Sequence, residues 1–308
     1  MWCHRRDTAG GPHLFNSLSG ETKVLYPGYT DPEDPFSDFS FDSDGFTASG
    51  SANGFNSAAG GSTYASWHWD ANTSGSNDAS STGIGTIDST YKVNTTAGFS
   101  IVNYTGNNTN PASVAHGLNA VPAMIIVKNR DTAGKDWIVY HKGIGASNWL
   151  QHNTAGAMVA NTQAWNGTPP TSTVWTMQDR SDMNNTDDFT AFVWSEVDGY
   201  SKFGTYEGNG NADGPVVWCG FRPAWIMLKN VDDGGNWVIL DNKRIGFNEE
   251  NYASFIPADA AEYSTDPDVD ILSNGFKLLT TLGWRNASNK THIFAAFAES
   301  PFKYANAR

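Results

Sequence analysis

VPAMIIVKNRDTAGKDWIVYHK (residues 121–142) and RPAWIMLKNVDDGGNWVILDNK (residues 222–243) are two versions of one pattern, about a hundred residues apart. Each opens with a proline, runs through an unbroken apolar stretch, breaks into a polar turn, and resumes at a tryptophan. Met124-Ile125-Ile126-Val127 and Ile226-Met227-Leu228 carry no alternation, which is the mark of strands buried on both faces. Pro122 and Pro223 stand at the strand starts, where a missing N–H costs the ladder nothing. The polar stretches, with Asp131 and Gly134 or Asp232 to Gly235, supply a hairpin connection. Trp137 and Trp237 then read as core residues opening the return strands.

The match extends outward from this hairpin. Tyr104-Thr105-Gly106-Asn107 answers Tyr206-Glu207-Gly208-Asn209, and His116-Gly117-Leu118 takes the place of Cys219-Gly220-Phe221. Downstream, TDDFTAFVWSEVDG (residues 186–199) answers NKTHIFAAFAESPF (residues 289–302). A shorter copy lies at the amino end. There, RRDTAGGPHLF (residues 5–15) shares Arg-Asp-Thr-Ala-Gly with residues 130–134, and FDSDGFTASG (residues 41–50) answers DILSNGFKLL (residues 270–279). The spacing of short strand-like runs between turn clusters predicts an all-β protein of tandem β-sandwich repeats, jelly-roll or lectin-like, with the first unit truncated at its N-terminus. The expected organisation is a truncated first repeat over residues 1–72, a Ser/Thr/Gly-rich linker over 73–96, a second sandwich over 97–199, and a third with a C-terminal tail over 200–308. Met1-Trp2-Cys3 falls on Ile226-Met227-Leu228, inside a strand, so the first unit lacks the opening strands of its siblings. Those strands are expected from a neighbouring subunit, or the reading frame starts late relative to a longer ancestor.

Composition agrees with an all-β reading. The 308 residues include 31 Gly, 12 Trp, 17 Phe and 11 Tyr, with only 17% charged. A net charge of −13 argues against nucleic acid, which requires basic patches, and against an anionic membrane surface. No apolar run approaches the roughly 20 residues of a membrane span, so no membrane insertion is expected, and no signal peptide opens the chain. Cys3 and Cys219 form neither a disulfide framework nor a metal pair and read as buried thiols.

Chemistry is hard to find. Nucleophile-elbow, zinc-protease, phosphate-loop and dinucleotide motifs are absent, so no catalytic residue, cofactor or metal site is expected. The seven histidines (His4, His13, His68, His116, His141, His152 and His292) show no metal-ligand spacing. Glu196 and Glu299 occupy matching places after the closing strands, which suits a structural or binding role better than a glycosidase pair. Asp42-Ser43-Asp44-Gly45 and Asp266-Pro267-Asp268-Val269-Asp270 lack the ladder of a calcium loop and read as solvated turns. What stands out is an insertion in the second unit, SNWLQHNTAGAMVANTQAWNGTPPTSTVWTMQDR (residues 147–180). It places Trp149, Trp165 and Trp175 among amides such as Gln151 and Asn166. Flat aromatic faces beside amides are what a sugar-binding surface uses, so these five residues form a candidate glycan surface. The competing expectation is that the three rings pack into the core or a subunit interface.

The pattern HGL…VPAMIIVKNRD…DWIVYHK, SNGFKL…NASNKTHIFAAFAESPFKYANAR and FDSDGF…GGSTYASWHWDAN resembles repeat modules in structural proteins of tailed bacteriophages, notably marine and cyanobacterial ones. Those proteins are described as tail-fibre-like or receptor-binding appendages. The resemblance implies a virion protein assembled in the host cytoplasm, a homotrimer in contact with other virion proteins, and lectin-like sandwiches binding a host cell-surface glycan or protein. A non-adhesive capsid or tail decoration is the alternative, and a polysaccharide depolymerase a third.

Overall fold

The computed structural model describes residues 1–50, 54–57, 61–244, 248, 252–257, 260–264 and 269–301. In chain order the first unit contributes β1 (Trp2–Arg5), β2 (His13–Leu14), β3 (Lys23–Val24), β4 (Asp34–Pro35), β5 (Phe39–Phe41), β6 (Phe46–Ala48) and β7 (Tyr64–Trp67). Next come β8 (Thr73–Asn77), β9 (Ser89–Asn94), β10 (Phe99–Thr105), β11 (Ala112–Ala115), β12 (Pro122–Asn129) and β13 (Ile138–His141). They are followed by β14 (Asn148–Gln151), β15 (Val159–Ala160), β16 (Val174–Met177) and β17 (Asp188–Ser195). The last unit holds β18 (Ser201–Glu207), β19 (Val216–Trp218), β20 (Pro223–Asn230), β21 (Trp237–Asp241), β22 (Ser254–Ile256), β23 (Val269–Leu272), β24 (Gly275–Leu278) and β25 (Thr291–Ala298).

The opening motifs form β12–β13 and β20–β21. All eight residues of β12 are buried, because it lies between β13 and β17 and is covered on both faces. Its register sets Ile125 between Tyr140 and Val193; in the last unit Ile226 lies between Leu240 and Ala296. Both strands start at the proline and slip register just after it. The order β10-β17-β12-β13-β14 has the same antiparallel sense as β18-β25-β20-β21-β22. Matching side chains also make matching bonds. The Tyr104 hydroxyl donates to the Met183 carbonyl at 2.7 Å, and that of Tyr206 to Arg285 at 2.6 Å. Asn184 and Asn286 accept from the backbone N–H of Asn107 and Asn209 at 2.9 and 2.8 Å.

Burial on two faces sorts the residues into two kinds of core. In β12, Ile125 and Val127 pack inside the second sandwich, against the β11–β16 sheet. Ile226 and Leu228 do the same beneath the β19-β24-β23 sheet. In the first unit Cys3 packs with Phe15, Phe36, Phe39 and Phe55. The residues in between (Trp2, Ile126 and Met227) point the other way, into one core shared by all three units. At its margin the partly buried Trp69 ring lies 6.0 Å from Trp194, 5.7 Å from Phe297 and 5.4 Å from Trp225. Rings of this size each remove about 150–250 Å² from water, worth about 4–6 kcal/mol apiece at 25 cal/mol per Å². Polar bonds reinforce the junction. Trp237 Nε1 donates to the Gln151 carbonyl at 3.1 Å, His141 Nε2 meets the Phe294 carbonyl at 3.1 Å, and Arg130 pairs with Glu33 at 2.6 Å.

Residues 73–96 are not a linker. They form β8, an edge strand of the eight-stranded sheet, and β9 beside it, which pairs in turn with β10. Their Ser, Thr and Gly content imitates a linker because edge strands with one solvated face need few large apolar side chains. The connection between them closes the edge of β11. Thr86 and Ile87 donate backbone N–H to the Ser113 carbonyl at 2.8 and 3.1 Å, and Ser113 N–H donates to Thr86 Oγ1 at 2.8 Å. Ile87 is buried beside Val114. In the first unit, among the described residues, no strand pairs with the far side of β7 or adds a third to β5–β6.

Candidate ligand-binding surface

The candidate glycan residues of the second-unit insertion do not form an exposed face. Trp149, Trp165 and Trp175 are 5%, 1% and 0% exposed and belong to the second sandwich core. Trp149 Nε1 donates to Asn161 Oδ1 at 3.0 Å while the Arg180 guanidinium covers its ring at 4.4 Å. Trp165 packs edge-on to Tyr140, and Trp175 edge-on to Tyr104. Gln151 donates to Asp136, and Asn166, in left-handed backbone at φ 54°, accepts from Gln178 at 3.2 Å. The reason is geometric: the insertion folds over the sandwich, and its large apolar rings are drawn inward. Its remaining loop docks on the last unit, where Gly235 N–H donates to the Ala155 carbonyl at 2.7 Å and Met158 N–H to Val231 at 2.8 Å.

The other residues singled out by sequence are also structural. Glu196 bonds Lys142 and Lys202, while Glu299 bonds Arg222 and Asn242, so each holds its own corner. Asp42 closes a hairpin by donating its backbone N–H to Gly45 at 3.0 Å and accepting from Thr47 Oγ1 at 2.8 Å. Residues 266–268 lie outside the described residues. Cys3 and Cys219 are buried, and desolvation pushes both thiols up to about 12. Among the described residues no group of three or more His, Cys, Asp or Glu is placed to hold a metal ion.

The motif itself contains a polar device that hydropathy does not show. Lys128 and Lys229 are fully buried. Each reaches back to a carbonyl of its own turn, Lys135 at 2.7 Å and Gly235 respectively, with the ammonium over the ring of Trp137 or Trp237. Burial lowers both amines to about 8, Lys128 despite the nearby charges of Asp136, Asp31 and Asp182. Asn129 and Asn230, one residue on, accept backbone N–H bonds from the start of the turn. The recurring Lys-Asn…Trp is therefore a turn clamp.

Among the described residues, the large exposed aromatic lies elsewhere. Trp218 is 64% exposed and Val216 59%, while Val217 between them is buried in the third sandwich. β19 is the edge of its sheet, with Val216 opposite Lys277 and Trp218 opposite Gly275. Lys277 pairs with the exposed Asp213 and faces Asp270 on its other side. The outer face therefore offers one bare indole, a glycine beside it, and a row of charged groups. At the matching places of the second unit stand Ser113 and Ala115, on the edge that residues 86–89 cover. A sequence signal existed: Trp218 replaces a small residue at an outward strand position.

These features define an all-β protein of several antiparallel sheets, stacked as sandwiches around a shared aromatic core, with one aromatic exposed on a sheet edge. The chain belongs to the family described as a domain of unknown function, DUF7483, whose pattern matches residues 1–301. No curated protein and no solved structure matches it.

Proposed function

We propose that this chain is a non-enzymatic virion appendage protein, of the tail-fibre or receptor-binding type, which recognises a host-surface glycan through the face around Trp218. The observation that carries this reading is the exposure of that indole opposite Gly275, on the same edge as Val216 with the Lys277–Asp213 pair across from it. An indole face stacks on the C–H face of a sugar ring, and the charged pair hydrogen-bonds its hydroxyls. The resemblance to phage appendage modules supports the setting: a virion, with homotrimeric self-association and contacts to other virion proteins. A non-adhesive decoration protein is the second reading. It is favoured by the backbone of Val216 and Trp218, which makes none of the covering bonds that Ser113 makes to residues 86–89. Such an edge suits pairing with a protein strand.

Purified protein is expected to bind host cells or extracted surface polysaccharide, and Trp218→Ala is expected to weaken that binding at least tenfold. The melting temperature of this variant should stay within about 1 °C, since the side chain is mostly solvated. Cell binding unchanged by Trp218→Ala would sink the glycan assignment. Binding to empty capsids with indifference to cells would establish the decoration reading.

A further inference from the structure

A second recess, independent of Trp218, lies in the first unit and measures about 370 Å³. It is lined by Gly11, His13, Tyr26, Tyr29, Asp31 and Asp34. The rings of Tyr26 and Tyr29 stand 6.5 Å apart at 90°, forming a corner of two π faces. Gly11 makes this corner possible, because a Cβ there would meet the Tyr29 ring at 2.4 Å. His13 closes the inner end, edge-on to Tyr26 at 5.4 Å, and is only 4% exposed. One of its nitrogens is held by the Gly11 backbone, and Nε2 has no partner. A ring nitrogen that bonds a carbonyl must carry the proton, so Nε2 is the unprotonated nitrogen, and it is shielded from solvent. Burial, opposed by that Gly11 bond, depresses His13 to about 4, so the ring adds no positive charge at neutral pH.

The carboxylates complete the chemistry. The charge of Asp31 is felt by Lys128, which sits behind the recess with its ammonium on the Thr30 carbonyl at 3.3 Å. The Asp34 carboxylate has no hydrogen-bond or ion-pair partner among the described residues. None of the six lining residues carries a positive charge; they offer π faces, carboxylates and a neutral imidazole wall. Groups of this kind attract a cation, and the carboxylate acceptors favour one with N–H donors.

We infer that this recess binds the protonated primary amine of a small ligand, with the ammonium against the Tyr26 and Tyr29 rings and its charge and N–H donors on Asp34. An amino sugar and a lysine-like alkyl amine share that chemistry. Calorimetric titration of the full chain at low ionic strength tests it with four probes: glucosamine, 1,5-diaminopentane, glucose and choline. Saturable binding of at least one amine is expected, with none for glucose and at least tenfold weaker binding for choline, which has no N–H. Asp34→Asn should weaken the amine at least tenfold, and Tyr29→Leu should do the same through loss of the ring. Trp218→Ala should change nothing, which separates this site from the one proposed above. Tighter glucosamine assigns the site to amino sugars, and tighter diaminopentane to alkyl amines. Glucose or choline binding as well as the amines would overturn the inference. So would an Asp34→Asn protein that binds them like wild type.

Discussion

Lowering the pH from 7 to 5 is expected to remove on the order of 8 kcal/mol of folding stability, enough to unfold most of the protein. The cause is a set of four buried imidazoles held neutral. Desolvation depresses His13, His116 and His141 to about 4 and His152 to about 3, against an ordinary value of 6.5. In two of them an accepted hydrogen bond adds to the effect of burial. His116 Nδ1 accepts from Leu118 N–H at 3.2 Å and His141 Nδ1 from Gly143 N–H at 3.0 Å, so neither nitrogen can take a proton without losing its bond. In both residues Nε2 faces a carbonyl, of Thr171 and Phe294 respectively. His152 lies among the rings of Trp2, Trp137 and Trp237, and neither of its nitrogens is bonded. The buried Lys229 charge depresses it further. A folded pKa below the unfolded one means that the unfolded chain binds more protons in between. The stability is therefore complete above about pH 6.5 and drains away as pH falls toward 4. Each imidazole contributes about 2 kcal/mol of that loss at pH 5. Tryptophan fluorescence followed against pH should show a cooperative transition near pH 5. His152→Leu, which removes a titrating group from an apolar nest, should move the midpoint to lower pH. A native signal persisting to pH 3.5 would refute the account.

Arg244→Met is expected to cost about 3–5 kcal/mol, seen as a melting temperature lower by roughly 6–12 °C. The Arg244 side chain is buried and joins two buried carboxylates: its Nε lies 2.7 Å from Asp241, and Nη1 pairs with Glu262. Its other donors reach Ser254 Oγ at 2.8 Å and the Ile239 carbonyl at 3.0 Å. The network crosses between units. Arg6 pairs with Glu262 at 2.8 Å, and Trp67 Nε1 donates to Asp241 at 3.0 Å. Removing the guanidinium leaves buried Asp241 without a cation and Glu262 with Arg6 alone, and the desolvation of the two carboxylates dominates the loss. Adding Glu262→Gln to Arg244→Met should recover part of it. Arg244→Lys should behave more like the methionine than like wild type, because an ammonium cannot serve four acceptors in a fixed fork. A loss under about 2 °C for Arg244→Met would show that the network contributes little.

What can be read from the sequence follows the physics of each signal. The double-sided burial of β12 and β20 is legible because an unbroken apolar run of that length, bounded by turn residues, fits little besides a strand covered on both faces. The core role of Trp137 and Trp237 is legible because each follows such a run across a tight polar turn. Residues 73–96 mislead because a half-solvated edge hairpin and a flexible linker share one composition. Pairing with β10 is a long-range fact that composition does not carry. The tryptophans of the insertion mislead because rings beside amides suit either a sugar face or a plugged sandwich. Only the direction of the chain decides between them. Trp218 escapes any comparison of what the units share, since it marks where they differ. The recess of Tyr26, Tyr29 and His13 depends on loops folding over β2, and no local periodicity reports that.

The shared core that holds Trp2, Trp194 and Phe297 has a consequence for how this chain can change over evolutionary time. Beads on a string can be duplicated, lost or shuffled one at a time, because each closes its own interior. Here every unit supplies part of a common interior, so excising any one would leave the other two with a bare aromatic wall. Such an architecture tolerates variation at its loops and edges but not in its number of parts. The protein should accordingly melt as one unit, not three.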